Sequence, residues 1–492
     1  MFSISTLSLR RIAGVALVLA TGALACAEPT LTLDDAIRLA LEKNPQIKVQ
    51  SYGRAIARAD LLTAIGQFDP AIKFRRSYSE SEAPYAASPF IGQINKEDDY
   101  SLTLEGVTPW GLQFSLGGSA TNQRGTFVNN NENAFASFGG LTVTQPLLRG
   151  FGPGSNFVGV RVAKANKGIS DWQFRQTLID TVTNVIEAYS DLAYAQQGLR
   201  IAERSRELAA GLLDENKKRF KVGSMSQSDV TQAEARTATR DETILFAQQS
   251  VRDATNRLRQ LMGETTFPIE PGAFGIETIV EPETAINPAE DLTKAYNQRP
   301  DYQAAKLGIV IRKANDASAR NQLLPQVDFV GSYGYNGLDP NFSASRHMVW
   351  HQENHSYSAG VVVSVPLTFA EGRGKARSAR MQLRQAEADL SRLEQDIAVS
   401  VAHAAGELET TRKRVQADKH AFDLAKEALD AEIKKLRAGT SSTFFVLNLQ
   451  EELIGAELSY YNALADQRRA HADYDREIGR TLDVRHVALD KQ

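Results

Sequence analysis

"RFKVGSMSQSDVTQAEAR", residues 219–236, and "KLRAGTSSTFFVLNLQEE", residues 435–452, follow one plan 216 positions apart. In each, a basic helical stretch stops at a glycine, crosses a short polar turn and resumes as a helix. Gly223 matches Gly439, Val230 matches Val446, and at the same offset Gly263 matches Gly479. Glycine at such a stop supplies the left-handed backbone that ends a helix. Lys217, Lys218, Arg219 and Lys221, then Lys434, Lys435 and Arg437, offset the negative helix end. The two turns predict two helical hairpins and carry no chemistry of their own.

The duplication extends upstream. "LDDAIRLALEKNPQIKVQ" (33–50) has a counterpart in "AEDLTKAYNQRPDYQAAK" (289–306), and at an offset of 255 Pro45, Pro70, Phe74 and Tyr78 match Pro300, Pro325, Phe329 and Tyr333. The two offsets differ by 39, so the first copy holds about that many extra residues between the blocks. A repeat of one unit organises the chain. Its expected bounds are 28–280 and 281–492. Each unit opens with a helix that Asp34 or Asp35 can cap in the first copy, with Ile37 and Leu41 at helical spacing.

Beyond Pro70 and Pro325 the pattern turns to strands, over about 70–146 and 326–366. "AIKFRRSYS", two runs around "TPWG", and "FASFGGLTVTQ" give four strands in the first unit. "QVDFVGSYGYN" and "YSAGVVVSV" give two in the second, and the "TPWG" hairpin accounts for most of the extra length. Pro146 and Pro366 close the two regions as strand-to-helix corners, because proline cannot donate in a ladder.

Long helical stretches follow, from about Phe157 to Arg219 and from about Lys375 to Arg437, neither containing proline. Val182, Val185, Tyr189, Leu192 and Leu199, and Leu383, Ala386, Leu390, Leu393 and Ile397, keep a 3–4 spacing. Roughly 60 residues at 1.5 Å rise give a rod about 90 Å long. One chain cannot bury such rods, so neighbouring copies are required.

The amino terminus reads as an export signal: Arg10 and Arg11, the uncharged "IAGVALVLATGALA", then "ACA" at 25–27. Cleavage after Ala27 removes two arginines and no acid, taking the formal charge from −3 to −5. The single cysteine, Cys26, leaves with the signal, which excludes disulfides and thiolate metal sites. The competing reading acylates Cys26, but Ala23 stands where a lipoprotein signal has a branched apolar residue. No stretch reaches 18 apolar residues, so the chain can cross a membrane only as a closed β-barrel. The slight negative charge excludes nucleic acid as the main partner.

The "LTLDDAIRLALEKNP" opening, "QPLLRG", the twice-used basic glycine-stopped turn and the tandem order resemble the TolC-like outer-membrane efflux family. The resemblance covers nearly all of the mature chain. It implies an α+β membrane protein, with a tandem-repeat long-helix α-barrel below a trimeric transmembrane β-barrel. It further implies a homotrimer in outer-membrane lipid that extends into the periplasm. A periplasmic adaptor (membrane fusion protein) and an inner-membrane pump of RND, ABC or MFS type complete the conduit, with no cofactor. The resemblance assigns the turns to adaptor docking, on Arg219, Phe220, Gly223, Ser226, Leu436, Arg437 and Gly439. Some members narrow the periplasmic mouth with acidic residues where this chain has Phe445 and Asn448, so a gate here rests on Phe445 packing and on Asp229 with basic neighbours. Four strands per chain would close a trimeric barrel of 12, six a barrel of 18.

Other chemistry is sparse. His347, His351 and His355 in "HMVWHQENH" would share a face if helical and are the one weak metal candidate, against a solvated external loop. "GFGPGS" and "EGRGKAR" lack the spacing of phosphate-binding loops. Charge-rich runs such as "ERSREL" and "RLEQD" read as solvated helix faces. The expectation is a passive exit channel and not an enzyme. The alternatives are a pore-free periplasmic coiled-coil scaffold, an exported hydrolase, for which no cleft of titratable groups is evident, and a self-sufficient porin.

Overall fold

The computed structural model describes residues 30–85, 88–127, 130–265, 274–276 and 286–487; the expected export signal lies outside them. A two-residue strand, β1 (Thr30–Leu31), leads into helices α1 (Leu33–Lys43) and α2 (Pro45–Ile65). Thr32, not Asp34 or Asp35, is the N-cap: its hydroxyl oxygen accepts from the Asp35 N–H at 3.1 Å, placing Asp35 in the first turn. The predicted single helix breaks at Asn44 because proline pushes the preceding residue out of helical geometry.

Four strands follow, β2 (Ala71–Tyr85), β3 (Ser88–Val107), β4 (Gln113–Phe127) and β5 (Asn130–Pro146). A short turn, α3 (Pro153–Asn156), precedes the 64-residue α4 (Val158–Lys221), which reverses into α5 (Gln227–Leu261). A second two-residue strand, β6 (Gly275–Ile276), pairs in parallel with β1. The second unit repeats the order in α6 (Pro288–Gln298), α7 (Pro300–Asn321), β7 (Gln326–Asp339), the short α8 (Phe342–Trp350) and β8 (Asn354–Ser364). It ends with the 68-residue α9 (Ala370–Arg437), α10 (Thr443–Ile478) and a last turn, α11 (Thr481–Val484).

The six long strands form one antiparallel sheet in the order β2-β3-β4-β5-β7-β8, so the "TPWG" hairpin joins the wall instead of standing apart. Each long helix pairs with its return helix, α4 with α5 and α9 with α10, and α4 lies against α10 to join the two units.

Both repeats close on one joint. The side chain of Asn44, before Pro45, donates to the Leu261 carbonyl at 2.8 Å; Arg299, before Pro300, donates to the Glu477 carbonyl at 3.1 Å. These partners stand at the two offsets read from the sequence. Gly263 and Gly479 end the return helices in left-handed geometry, at φ +79 and +82. Each packs against the end of the opening helix: a Cβ on Gly263 would lie 2.6 Å from the Lys43 carbonyl oxygen, and one on Gly479 3.0 Å from the Gln298 carbonyl carbon. Around the first joint, Ala36, Ile37 and Ala40 pack on Ile179, Val182, Val185 and Tyr189; around the second, Ala295 packs on Ile397 and Val401.

The chain exposes 31022 Å², against about 18,000 Å² for a compact monomer of this mass. The predicted seam explains part of the excess. Val182, Val185, Tyr189 and Leu192 are buried, but Leu383, Ala386, Leu390 and Leu393 are only partly covered until Ile397.

The joint gives a direct test. Gly263→Ala should cost at least 1–2 kcal/mol for a left-handed alanine, about the usual penalty, before the clash with Lys43 is counted. Gly53→Ala, a helical site with nothing within 4 Å of the new methyl, should stabilise by about 0.5–1 kcal/mol. Urea unfolding of the two variants compares them; equal effects would remove the joint's importance.

Candidate functional site

Facing residues of an antiparallel pair lie on the same side, so the register sorts the sheet into two surfaces. One carries Ile72, Phe74, Leu102, Leu116, Leu141, Tyr333, Tyr357 and Val361. These side chains stand in the open, Phe74 at 71% and Tyr357 at 75%. The opposite surface is a polar ladder. Lys73 pairs with Glu105, Thr121 donates to Asp99 at 2.7 Å, and the Ser332 and Ser358 hydroxyls meet at 2.8 Å. A wall apolar outside and polar inside is the pattern of a strand barrel in lipid.

Helix α8 crosses the apolar surface at the end remote from the long helices. Phe342 packs against Phe135 with ring centroids 5.6 Å apart and planes tilted by 55°, and the Ser345 hydroxyl donates to that of Ser137 at 2.8 Å. The helix comes so close that a Cβ on Gly337 would lie 2.0 Å from the Ser345 carbonyl oxygen. The stretch expected to be a solvated loop is therefore partly a packed helix. His347 lies on it and His351 caps it, their rings stacked at 3.7 Å, whereas His355 sits on β8 beside Tyr357. The three histidines do not share one helical face, because the helix ends before His355. Among the described residues no group of three metal-ligating side chains occurs.

The corners at Pro146 and Pro366 line one cavity with Gln326, Asp328 and Lys375. Pro146 ends β5, and the next residue, Leu147, donates to the Val327 carbonyl at 2.7 Å. Gly150 then donates to the Asn321 side-chain oxygen at 2.8 Å, tying the first corner to α7.

At the far end, Gly223 and Gly439 have φ +76 and +75 with open space around them, so backbone conformation alone requires glycine there. Ser224 N–H returns to the Arg219 carbonyl and Thr440 N–H to that of Lys435, both at 3.0 Å, the same stop in each copy. Phe220, Val222, Phe444 and Phe445 are exposed at these ends, Val222 at 79%. Leu436 is half-buried, while Arg437 and Asn448 are exposed. Lys218 beside Asp214 holds that carboxyl below its usual range; the Ser441 hydroxyl, then Lys435, does the same to Glu432.

Asp229 is held within its own turn. Its carboxylate accepts from the Ser226 hydroxyl at 2.6 Å and the Ser226 N–H at 3.2 Å, while Ser226 accepts from the Asp229 N–H. This reciprocal cap starts α5 and occupies both residues.

The sequence reading missed the ion pairs that tie the hairpins together. Glu451 on α10 meets Arg236 at 3.5 Å and also Arg240, both on α5. Higher up, Arg204 of α4 grips the buried Glu457 of α10 with both carboxylate oxygens, and Asp191 meets Arg469. Arg204 belongs to "ERSREL", expected to be solvated. In "RLEQD", Glu394 accepts from the Tyr302 hydroxyl at 2.8 Å, binding α9 to α7. Their partners are too distant in sequence for spacing to reveal.

The family model of the outer membrane efflux proteins matches residues 107–264 and 292–479, more than half of the chain. The chain belongs to the outer membrane efflux protein family. It is 23% identical to outer membrane efflux protein BepC of Brucella suis over 66% of this chain and 68% of the relative. With outer membrane protein TolC of Vibrio cholerae it shares 24% over 63% and 70%. The solved CmeC outer membrane channel of Campylobacter jejuni superposes with a TM-score of 0.70 at 14% identity, over 91% of this chain and 86% of that one. The protein is an outer-membrane exit channel with the TolC-like fold, and its family consists of channels and not enzymes.

Adjacent residues of β5 test the two faces. Leu141→Arg, on the apolar surface, should destabilise the membrane-embedded protein by about 2–4 kcal/mol. Thr142→Arg, one residue on and facing inward, should cost far less. Urea unfolding in lipid vesicles measures both, and equal losses would contradict the assignment.

Proposed function

We propose that three copies of this chain form a passive duct, docked at its helical tips by a periplasmic adaptor and energised by an inner-membrane pump. The observation that carries the trimer is the sheet itself. Among the described residues β2 pairs only with β3 and β8 only with β7, leaving two free edges on a wall whose outer surface is apolar. Free edges in lipid are untenable, so each must pair with a neighbour. Three sheets of six strands give a barrel of 18. The excess exposed area along the long helices supports the same closure. We read residues 28–280 and 281–492 as the two repeats, so three chains present six similar tips.

Arg219, Phe220, Gly223 and Ser226 in one turn, with Leu436, Arg437 and Gly439 in the other, supply the proposed docking surface. Exposed aromatic and aliphatic groups beside basic residues suit a protein partner. The mouth is held by the Glu451 bridge to Arg236 and Arg240, with Phe445 and Asn448 beside it on α10. Asp229 contributes by fixing the start of α5. Opening requires the second hairpin to swing from the first, breaking that bridge.

Three experiments test this reading. A photo-crosslinker replacing Thr440 in cells should capture an adaptor subunit, and the purified protein should need detergent and run as a trimer. A detergent-independent monomer would end the duct proposal. Glu451→Gln should raise single-channel conductance in planar bilayers several-fold, whereas a closed-level conductance equal to wild type would refute the latch.

A further inference from the structure

Above the last apolar pair on the outer surface, Phe74 with Leu102, the character of that surface changes abruptly. The next facing pairs are Arg76 with Tyr100, Tyr78 with Asp98 and Glu80 with Lys96, and Arg124 faces Lys96 from β4. At about 6.8 Å per two residues, these charges begin within a few ångströms of the apolar edge. They lie at the sheet end remote from the long helices, the side of the outer leaflet.

Three cations pair with two carboxylates, Asp98 and Glu80, and Glu82, next along the same surface, balances the patch in net charge. Arg124 meets Asp98 at 2.5 Å, Arg76 approaches the same carboxylate at 3.6 Å, and Lys96 meets Glu80 at 3.0 Å. Asp98 is almost fully buried, whereas Arg76 is 60% exposed, Arg124 44% and Lys96 41%. A buried anion holds two guanidiniums together and leaves them facing outward. Tyr100 steadies one of them, 5.2 Å from the Arg76 guanidinium. Two guanidiniums and an ammonium carry many more donors than two carboxylates can accept. Of the further carboxylates on this surface, Glu82 stands two residues beyond Glu80 and exposed, and Asp339 on β7, beyond β5, accepts from the Asn341 N–H at 2.7 Å.

We propose that Arg76, Lys96 and Arg124 bind the phosphate groups of a glycolipid in the outer leaflet, of the diphosphorylated lipid A type. Three observations select this occupant. The cations adjoin the lipid-facing belt, they sit in the outer half of the wall, and planar guanidiniums match phosphate in a fork geometry. Helix α8 extends the same rim on the neighbouring strands, with Arg346 over Phe342 and Trp350 at 83% exposure, as an interfacial helix would. The proposal rests on the apolar surface being the lipid wall. The Leu141 and Thr142 variants test that separately, through stability and not through retention of any lipid.

The test uses the detergent-purified full-length oligomer and native mass spectrometry. Wild type should retain diphosphoryl lipid A at least tenfold better than its dephosphorylated form, and neither phosphatidylglycerol nor millimolar inorganic phosphate should displace it. R76Q/K96Q/R124Q should lose the same tenfold, while K73Q/R75Q on the inner face should not. Equal retention of the dephosphorylated lipid overturns the proposal, as does displacement by phosphatidylglycerol or by free phosphate. An unaltered triple variant would do the same. Should the triple variant fail to assemble, the comparison of the two lipids on wild type still decides.

Discussion

The structure depends on a joint made twice, where a residue forced out of helical geometry by proline reaches across to the end of a returning helix. Asn44 and Arg299 cannot continue their helices, so their side chains are free to bond the carbonyls of Leu261 and Glu477. The glycines two residues beyond those carbonyls let backbone approach backbone. Each joint fixes a short opening helix across the long helix of its own unit. That sets where α2 and α7 hand over to the strands, and so where the sheet begins relative to the hairpins. The apolar cores gather around these joints, not along the rods, which are too narrow to form cores alone.

Much of this was legible because it was written twice. The offsets of 216 and 255 identified in advance the glycines and prolines that make the joints. Proline-free stretches gave the long helices to within a few residues, ending at Lys221 and Arg437. Strand number was legible for a different reason, since alternation of Ile72, Phe74 and their neighbours is a local signal. Less local features escaped. The Asn44 break looked like continuous helix because helical periodicity runs through it, and the cap fell to Thr32 because a hydroxyl one position before the helix outcompeted the acids within it.

The harder failures concern charge. Arg204 and Glu457 lie 253 residues apart and meet on helices from different units. From sequence, each is one charge among many on a helical surface, and only the packing of α4 against α10 makes the pair. Asp229 shows the reverse. Its carboxylate is bonded by a serine three residues earlier, a local contact that a reading aimed at distant partners passes over. The histidines raise a related point: i, i+4, i+8 spacing has meaning only while a helix lasts, and this one ends at Trp350.

The two ends of the molecule bear different constraints, and this bears on where selection resides. The sheet contributes six strands, and barrel diameter grows roughly in proportion to strand number. In the proposed trimer the membrane wall is therefore porin-like in width, with a polar inner ladder that offers little obstruction. The helical end has no such width built in. Its hairpins are tied by a few ion pairs, of which the Glu451 bridge is the one nearest the tips. Such partly exposed pairs are individually weak, of order 1 kcal/mol or less. Weakness suits a mouth that opens on docking, since a partner that favours the parted hairpins need supply only a few kcal/mol of differential binding. The joints, by contrast, are backbone-deep and should not move. In the proposed duct, opening is thereby confined to the hairpin ends, and the membrane wall is spared the distortion.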